Sequence, residues 1–561
     1  MKMRSSIKFK RLNRLMGASV SSRLLKLTML VAVVAFSSCD NWLNLQPEDG
    51  VVRERFWKTK EEVRSAVLGC YSQMLSTEMM RQYFVWGEMR ADLAAPASGA
   101  NADLKALNNG EITTTNSFTD WASFYEVINQ CNTVIELAPQ VLEKDASFSQ
   151  EQLDAYIAEV TCIRSLMYFY LVRTFRDVPY VEEASIYDYQ EFSIPKTDGK
   201  QIIDKLIASL KAVENDIPVK YDDTEEARSS NSDVNKNRFN YYGWATLLAD
   251  ISLWKGDYET CIAMADRVIN SGQYSLVPVG REEVPVYNLE TGKTDTIYEA
   301  MQGDVVNLFR VMYANGNCVE SIFELKNPPT YNNPYVSMFS ANVSNAIEIN
   351  QANFSDVYFI TSNIDRGWRD IRTEGISYVG KYIWKWAGLD NTSTPVQWRT
   401  TSTSNSNWIF YRLADVLLMK AEALTELAMV DNDQVKLNQA LALVYKIRER
   451  ANAPESTDLF YKHTGDLDAK TMEEFVLTER ARELTFEGKR WYDLLRLAQR
   501  EDFNERTMGY LIRMAVLAAP PEKVSIIQSK WQTNSGSLYL PINASELQRN
   551  KKLVQNDFYQ K

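Results

Sequence analysis

Residues 478–499 read TERARELTFEGKRWYDLLRLAQ. Glu479, Arg480, Arg482, Glu483, Glu487, Arg490, Asp493 and Arg496 crowd both signs of charge into this stretch. Glu479/Arg482, Glu487/Arg490, Arg490/Asp493 and Asp493/Arg496 stand three apart, the spacing at which opposite charges meet on a helix surface. Leu484, Phe486, Trp491, Leu494 and Leu495 supply a packing face. The stretch reads as part of one long helix from about Met472 to Arg500. Its charges read as a structural ion-pair network rather than an active site.

Helical spacing continues upstream. Ile409 to Leu427 and Val435 to Ala451 read as a helix pair. So do Phe239 to Trp254 and Tyr258 to Ile269, joined by Lys255-Gly256-Asp257. Helix, glycine-containing turn and helix again is the tetratricopeptide style. Glu61 to Leu75, Trp121 to Leu137, Leu153 to Phe175 and Gln201 to Ile217 carry apolar residues at i, i+3, i+4 and i+7. The expected fold class is mostly α, with tetratricopeptide-like helix pairs as scaffold. Residues 57–274 and 409–561 form its helical regions, and 57–561 reads as one compact body.

Two regions break this rhythm. Residues 78–119 contain Ala95-Pro96 and Asn108-Asn109-Gly110 and read as irregular. Residues 275–408 form an insert rich in Gly, Asn, Thr, Tyr and Trp, with strand-like runs at Val305 to Met312 and Ser321 to Leu325. Trp384 and Trp386 alternate with Lys385 as in a strand. Long ordered irregular stretches in a compact protein are usually functional, so both regions are expected on one face of the scaffold, with a few short strands.

The N-terminus reads as an address. Eight basic and no acidic residues occupy positions 1–38, followed within that span by the apolar run Leu27 to Phe36 and the small Ser37 and Ser38, just before Cys39. That order marks a secretory signal. Ten residues span only ~15 Å as a helix, short of a ~30 Å hydrocarbon core. A lipoprotein cleavage site before Cys39 is expected, with Cys39 lipidated and 39–56 as an extended leader. Removing the eight basic residues from 62 leaves 54 against 73 acidic ones, a net charge of about −19. Such a chain is a poor nucleic-acid binder, since affinity there comes from neutralising phosphates. Membrane contact is left to the acyl chains on Cys39.

Catalytic readings fare poorly. His463, in YKHTGD, is the single histidine, which removes zinc–histidine sites and histidine triads. Cys70, Cys131, Cys162, Cys261 and Cys318 are odd in number, widely spaced and without CxxC, which fits buried thiols rather than a disulfide framework or metal site. Asp431-Asn432-Asp433 lacks the rest of a calcium loop and reads as a surface turn. GISYVGK (375–381) approaches a phosphate-binding loop, but Tyr382 stands where Ser or Thr would hold magnesium. Glycoside hydrolysis needs two carboxyl groups about 5–10 Å apart, and no local sequence singles out a pair. No cofactor, metal or catalytic residue is expected.

Six stretches in order resemble the SusD/RagB family: 39–71 (CDNWLNLQPEDG through VLGCY), 121–136 (WASFYEVINQCNTVIE), 158–181 with its D-V-P turn, 411–424 (YRLADVLLMKAEAL), 478–499 and 538–556 (LYLPINASELQRNKKLVQN). The resemblance runs from Cys39 to the C-terminus. It implies a mostly helical SusD-like fold and a non-enzymatic lipoprotein anchored at the outer membrane, exposed at the cell surface. It also implies a SusC-like TonB-dependent transporter as partner, to which a captured oligosaccharide is delivered. A RagB-like peptide-capturing role is the alternative, and a surface glycoside hydrolase a more remote one.

Ligand contacts are expected among aromatic and polar residues of the two irregular regions, since flat rings stack on sugar faces while polar groups bond hydroxyls. The first set is Tyr83, Trp86, Arg90 and Asp92 of YFVWGEMRAD, with Asn101 in the adjoining loop. The second draws on the insert, where five of the chain's 13 tryptophans fall between Trp368 and Trp408; its members are Tyr313, Tyr335, Trp368 and Trp398. Each could equally be core.

Overall fold

Local signals start and stop most of the helices. The computed structural model describes residues 56–186, 190–221, 233–288, 292–328, 330–343, 345–351, 358, 370–390, 396–453 and 468–560. Thr59–Lys561 forms one unit, and Met1–Lys58 another of which only 56–58 are described. Cys39, His463 and Trp368 lie outside the described residues.

Helix α1 (Lys60–Met74) opens on a capping box, in which Thr59 and Glu62 bond each other's backbone N–H. Helix α2 (Thr77–Glu88) is capped by Ser76. Strand β1 (Ala94–Pro96) and helix α3 (Ala102–Asn108) follow, then α4 (Ala122–Leu137) and α5 (Gln150–Phe175). Helix α5 is long and apolar enough to cross a membrane, yet most of its apolar stretch is buried within the protein. Helix α6 spans Gly199–Ala212, α7 Tyr241–Lys255 and α8 Tyr258–Ile269. Gly256 ends α7 with φ 85°, a left-handed cap that glycine adopts without a Cβ penalty. The helix pair expected here is therefore present.

The insert opens with a hairpin of β2 (Arg281–Asn288) and β3 (Lys293–Ala300). It continues through α9 (Gln302–Phe309), β4 (Ser321–Leu325), β5 (Ile347–Ile349), β6 (Tyr378–Val379), β7 (Tyr382–Ile383), β8 (Gly388–Asp390) and β9 (Gln397–Trp398). Strand β10 (Trp408–Arg412) pairs antiparallel with β4 and runs into α10 (Leu413–Asp431). Helices α11 (Gln434–Arg450), α12 (Ala469–Glu483), α13 (Arg490–Arg500), α14 (Glu505–Ala515) and α15 (Pro521–Thr533) complete the main scaffold. Helix α8 packs on both α7 and α10, and α10 on α11 and α12. The helix pairs stack, as their sequence style implied. The five cysteines of the body are free and buried.

The structure corrects several element assignments. The single helix expected over 472–500 is two, α12 and α13, because Phe486 and Gly488 take φ 63° and 72° in the intervening turn. That turn points Glu487 away from Arg490 and towards Arg412 and Lys385. Arg490 instead pairs with Asp92 at 2.9 Å. Two of the four i,i+3 pairs survive, Glu479–Arg482 at 3.0 Å and Asp493–Arg496 at 2.8 Å. Residues 78–119 are not wholly irregular, since α2 and α3 lie within them. Val305 to Met312 is helical rather than extended. Ile409 to Arg412 is strand, drawn out by pairing with β4. Trp384–Ala387 form one short helical turn with both tryptophans and Lys385 buried.

Glu88, at the end of α2, receives the backbone N–H groups of Gly488 (2.8 Å) and Lys489 (3.2 Å). Burial pushes its carboxyl up to about 8, against the lowering effect of those two N–H groups. A carboxyl whose folded value exceeds its unfolded one contributes stability below pH ~4.5 that is lost as pH rises through ~8. Glu88→Gln is expected to keep the accepting oxygen and flatten this decline, measured as urea midpoints from pH 5 to 9. An unchanged slope would assign the decline to other groups.

Candidate ligand-binding site

The two irregular regions meet. Strand β1 pairs antiparallel with β5, with Ala94 opposite Ile349, Ala95 opposite Glu348 and Pro96 opposite Ile347. The Ala97 N–H donates to Ala346 O at 3.0 Å, and the Ile349 N–H to Lys381 O at 3.0 Å. Segments 94–101, 345–349 and 378–383 thus form one loop layer. On it the half-exposed Lys381 ammonium sits 3.0 Å from the Glu348 carboxylate. Tyr382 stands 5.9 Å edge-on to Trp398, which lies 4.7 Å from the buried Trp384 beneath it. Trp398 is half-buried, so part of its ring reaches the surface. Asn101 is exposed; its side-chain oxygen caps α3 through Leu104 N–H (2.9 Å). Rings beside a charge pair can stack on a flat apolar surface while the charged groups bond polar groups at its edge.

Of the nine expected ligand contacts, Asn101 and Trp398 belong to this layer, and Trp368 is outside the described residues. The other six are corrected to core positions. Tyr83, Trp86, Arg90 and Asp92 are buried because α2 is sandwiched rather than exposed. Trp86 stacks on Phe124 at 4.7 Å and donates to Phe118 O at 2.8 Å. Tyr83 lies against Trp408 and donates to Met74 O. Arg90 covers the Trp491 ring at 4.3 Å and donates to Leu538 O. Asp92 receives Arg490 and the Tyr358 hydroxyl. Tyr313 donates to Glu487 at 3.3 Å, and Tyr335 packs among Phe339, Trp386 and Trp408. Burial holds the Tyr83, Tyr313 and Tyr335 phenols well above the ordinary range. Lys381, Tyr382 and Glu348 were not among the expected contacts, although Lys381-Tyr382 closes the stretch that resembled a phosphate loop.

A separate open pocket of about 530 Å³ lies among the end of α5, the start of α6, the turn between α7 and α8, and the end of α13. Its walls include Arg176, Lys200, Trp254, Tyr258, Phe503 and Tyr539. Asp177 N–H bonds back to Phe175 O at 3.0 Å across Arg176, whose φ and ψ are 70° and −75°. This is a three-residue turn of the strained hand, a conformation costing an L-residue ~1–3 kcal/mol. Gly199 fits against it only for want of a side chain, since a Cβ there would stand 2.4 Å from Arg176 O.

Comparison with known proteins identifies the family and the fold. A model described as "SusD family" matches residues 353–559, and one described as "Starch-binding associating with outer membrane" matches residues 41–234. Two SusD-like proteins of Formosa agariphila are 24% and 25% identical to this chain, covering 83% and 84% of it and 90% of each relative. A SusD superfamily structure from Bacteroides thetaiotaomicron superposes with TM-score 0.65 at 23% identity, covering 90% of this chain and 99% of that one. A SusD homologue from the same species gives 0.66 at 18% identity, with 91% and 99% covered.

Proposed function

Because the chain belongs to the SusD family, we propose that it is a non-enzymatic glycan-binding lipoprotein of the outer membrane, anchored through Cys39 at the cell surface. In this reading it captures oligosaccharide on the loop layer and hands it to a SusC-like TonB-dependent transporter. The observation that carries the reading is the convergence of β1 with β5 and the 378–383 segment, which brings a half-exposed tryptophan, a tyrosine and an ion pair into one layer. The outer-membrane setting is supported by the description of the model matched at residues 41–234. The order of charges, apolar run and small residues before Cys39 supports the anchor.

The test is an array of glycans and peptides against the purified protein, repeated with Trp398→Ala. Trp398 sits on a two-residue strand, so its loss is expected to spare the fold. Glycan binding weakened about tenfold or more, a loss of ~1.4 kcal/mol or above, is the expected result. Glycan binding indifferent to Trp398→Ala would remove the loop layer as the site, and hits confined to peptides would replace oligosaccharide capture with peptide capture. Radiolabelled palmitate appearing in the protein but not in Cys39→Ser is the expected sign of the anchor.

A further inference from the structure

We propose that the pocket at the ends of α5, α7 and α13 is a second saccharide site, one that takes a short neutral glycan end independently of the loop layer. The ligand class rests on the function proposed above; the location and the mode of recognition rest on the pocket itself. Its volume, about 530 Å³, falls in the range of small-molecule sites. Its charges come as adjacent opposites: Lys255 lies 2.6 Å from Asp204, and Arg176 lies 3.0 Å from Asp177. Arg496 and Arg500 are matched from behind by Glu422, Glu426 and Glu473. Asp198, Lys200 and Asp502 add charges of both signs, so the lining is mixed rather than of one sign. It suits hydroxyl groups, each of which donates to one member of a pair and accepts from the other.

Two further observations point to a ligand. The Lys200 ammonium, the Trp254 indole N–H and the Tyr258 hydroxyl have no hydrogen-bond partner among the described residues, although all three residues line the pocket. Trp254 is half-buried and held edge-on at 6.0 Å by Phe169, which fixes an aromatic surface beside those donors. The second observation is Arg176. Its backbone conformation is one that glycine adopts without strain, yet the position carries arginine, so what the position supplies is the side chain. That guanidinium lies over the Tyr539 ring at 5.7 Å with Asp177 at its Nε, which leaves its two terminal nitrogens to a ligand.

Saturation-transfer NMR with neutral disaccharides (maltose, cellobiose, xylobiose and lactose) on the purified protein tests the assignment. At least one is expected to give a signal that falls fivefold or more in Trp254→Ala and in Arg176→Gly, and persists in Trp398→Ala. Arg176→Gly is also expected to raise the melting temperature, because it relieves the turn. Lys200→Ala, on the exposed rim, replaces Trp254→Ala should that variant unfold. The assignment is overturned if no disaccharide signal depends on Trp254 or Lys200, or if Arg176→Gly is stabilised and binds as the parent does. Failure here leaves the loop layer untouched, and failure of Trp398→Ala to affect the glycan array leaves this result standing.

Discussion

Arg412→Ala is expected to leave little folded protein, with a loss of about 3–5 kcal/mol, the range for removing one member of a buried charge network. Folded domains hold only ~5–15 kcal/mol in total. Arg412 is 1% exposed and bonds three carboxylates: Glu483 at 2.6 Å, Glu487 at 2.9 Å and Glu320 at 3.2 Å. Arg450 also reaches Glu320 and Glu483, and Arg372 reaches Glu479 and Glu483. Deleting the guanidinium strands negative charge in a dry interior, where its desolvation is no longer offset. Arg412→Lys keeps the charge but not the planar fork that meets two carboxylates at once, so an intermediate loss is expected. The measurement is the urea midpoint, with the slope checked for constancy. An unfolding free energy, midpoint times slope, within ~0.5 kcal/mol of the parent would show that the network contributes little net stability.

This network, and a second around Arg480 and Arg496, are expected to shape the acid limb. Burial raises the Glu479 carboxyl, but Arg372, Arg448 and Arg482 more than reverse this and hold it at about 2. Asp493 is likewise raised by burial and brought down to about 2 by Arg480 and Arg496. Folded values below the unfolded ones mean stability that is fully present above pH ~4.5 and is lost as pH falls towards ~2. The slope is opposite to that contributed by Glu88.

Gly87→Ala is expected to be equally disruptive through sterics alone. A Cβ on Gly87 would stand 1.8 Å from the Gly488 carbonyl oxygen and 2.2 Å from its carbonyl carbon. Both neighbours are backbone, so no side chain can swing aside. Gly488 has φ 72°, and its own Cβ would meet Tyr83 O at 2.4 Å and the Trp408 ring at 2.9 Å. Overpacking by a methyl usually costs ~1–3 kcal/mol where side chains can adjust; here α2 would have to lift off the turn between α12 and α13. That movement would also break the bonds from Gly488 and Lys489 to Glu88. Loss of soluble protein, or a melting temperature lowered by many degrees, is expected. Wild-type melting would mean that α2 and the turn are not in contact in solution.

Arg412 and Gly87 lie outside residues 478–499 but both press on that stretch, through Glu483 and Glu487 and through Gly488. Periodicity located α1, α4, α5, α6, α7 and α8 because each carries an apolar stripe or caps that act within a few residues. Gly256 and the Asp431-Asn432-Asp433 turn were legible for the same reason: a left-handed cap is a local demand. The structural character of the charges in 478–499 was legible too. Their partners were not, because Phe486 and Gly488 break the helix and send Glu487 to Arg412 and Lys385, far away in sequence.

The aromatic residues mark the boundary most clearly. Their abundance in 78–119 and 275–408 was visible in the sequence, but exposure is a property of what packs against a ring. Tyr83, Trp86, Tyr313 and Tyr335 turned inward because α2, α4 and β10 close over them. Trp398 stayed half-exposed because β9 is a two-residue strand at the edge of the loop layer. Short-range chemistry determined the helical scaffold and the family resemblance. Tertiary structure alone decided the pairing of β1 with β5, the pocket beside Arg176 and which rings meet solvent, because each depends on segments brought together by packing over tens to hundreds of residues.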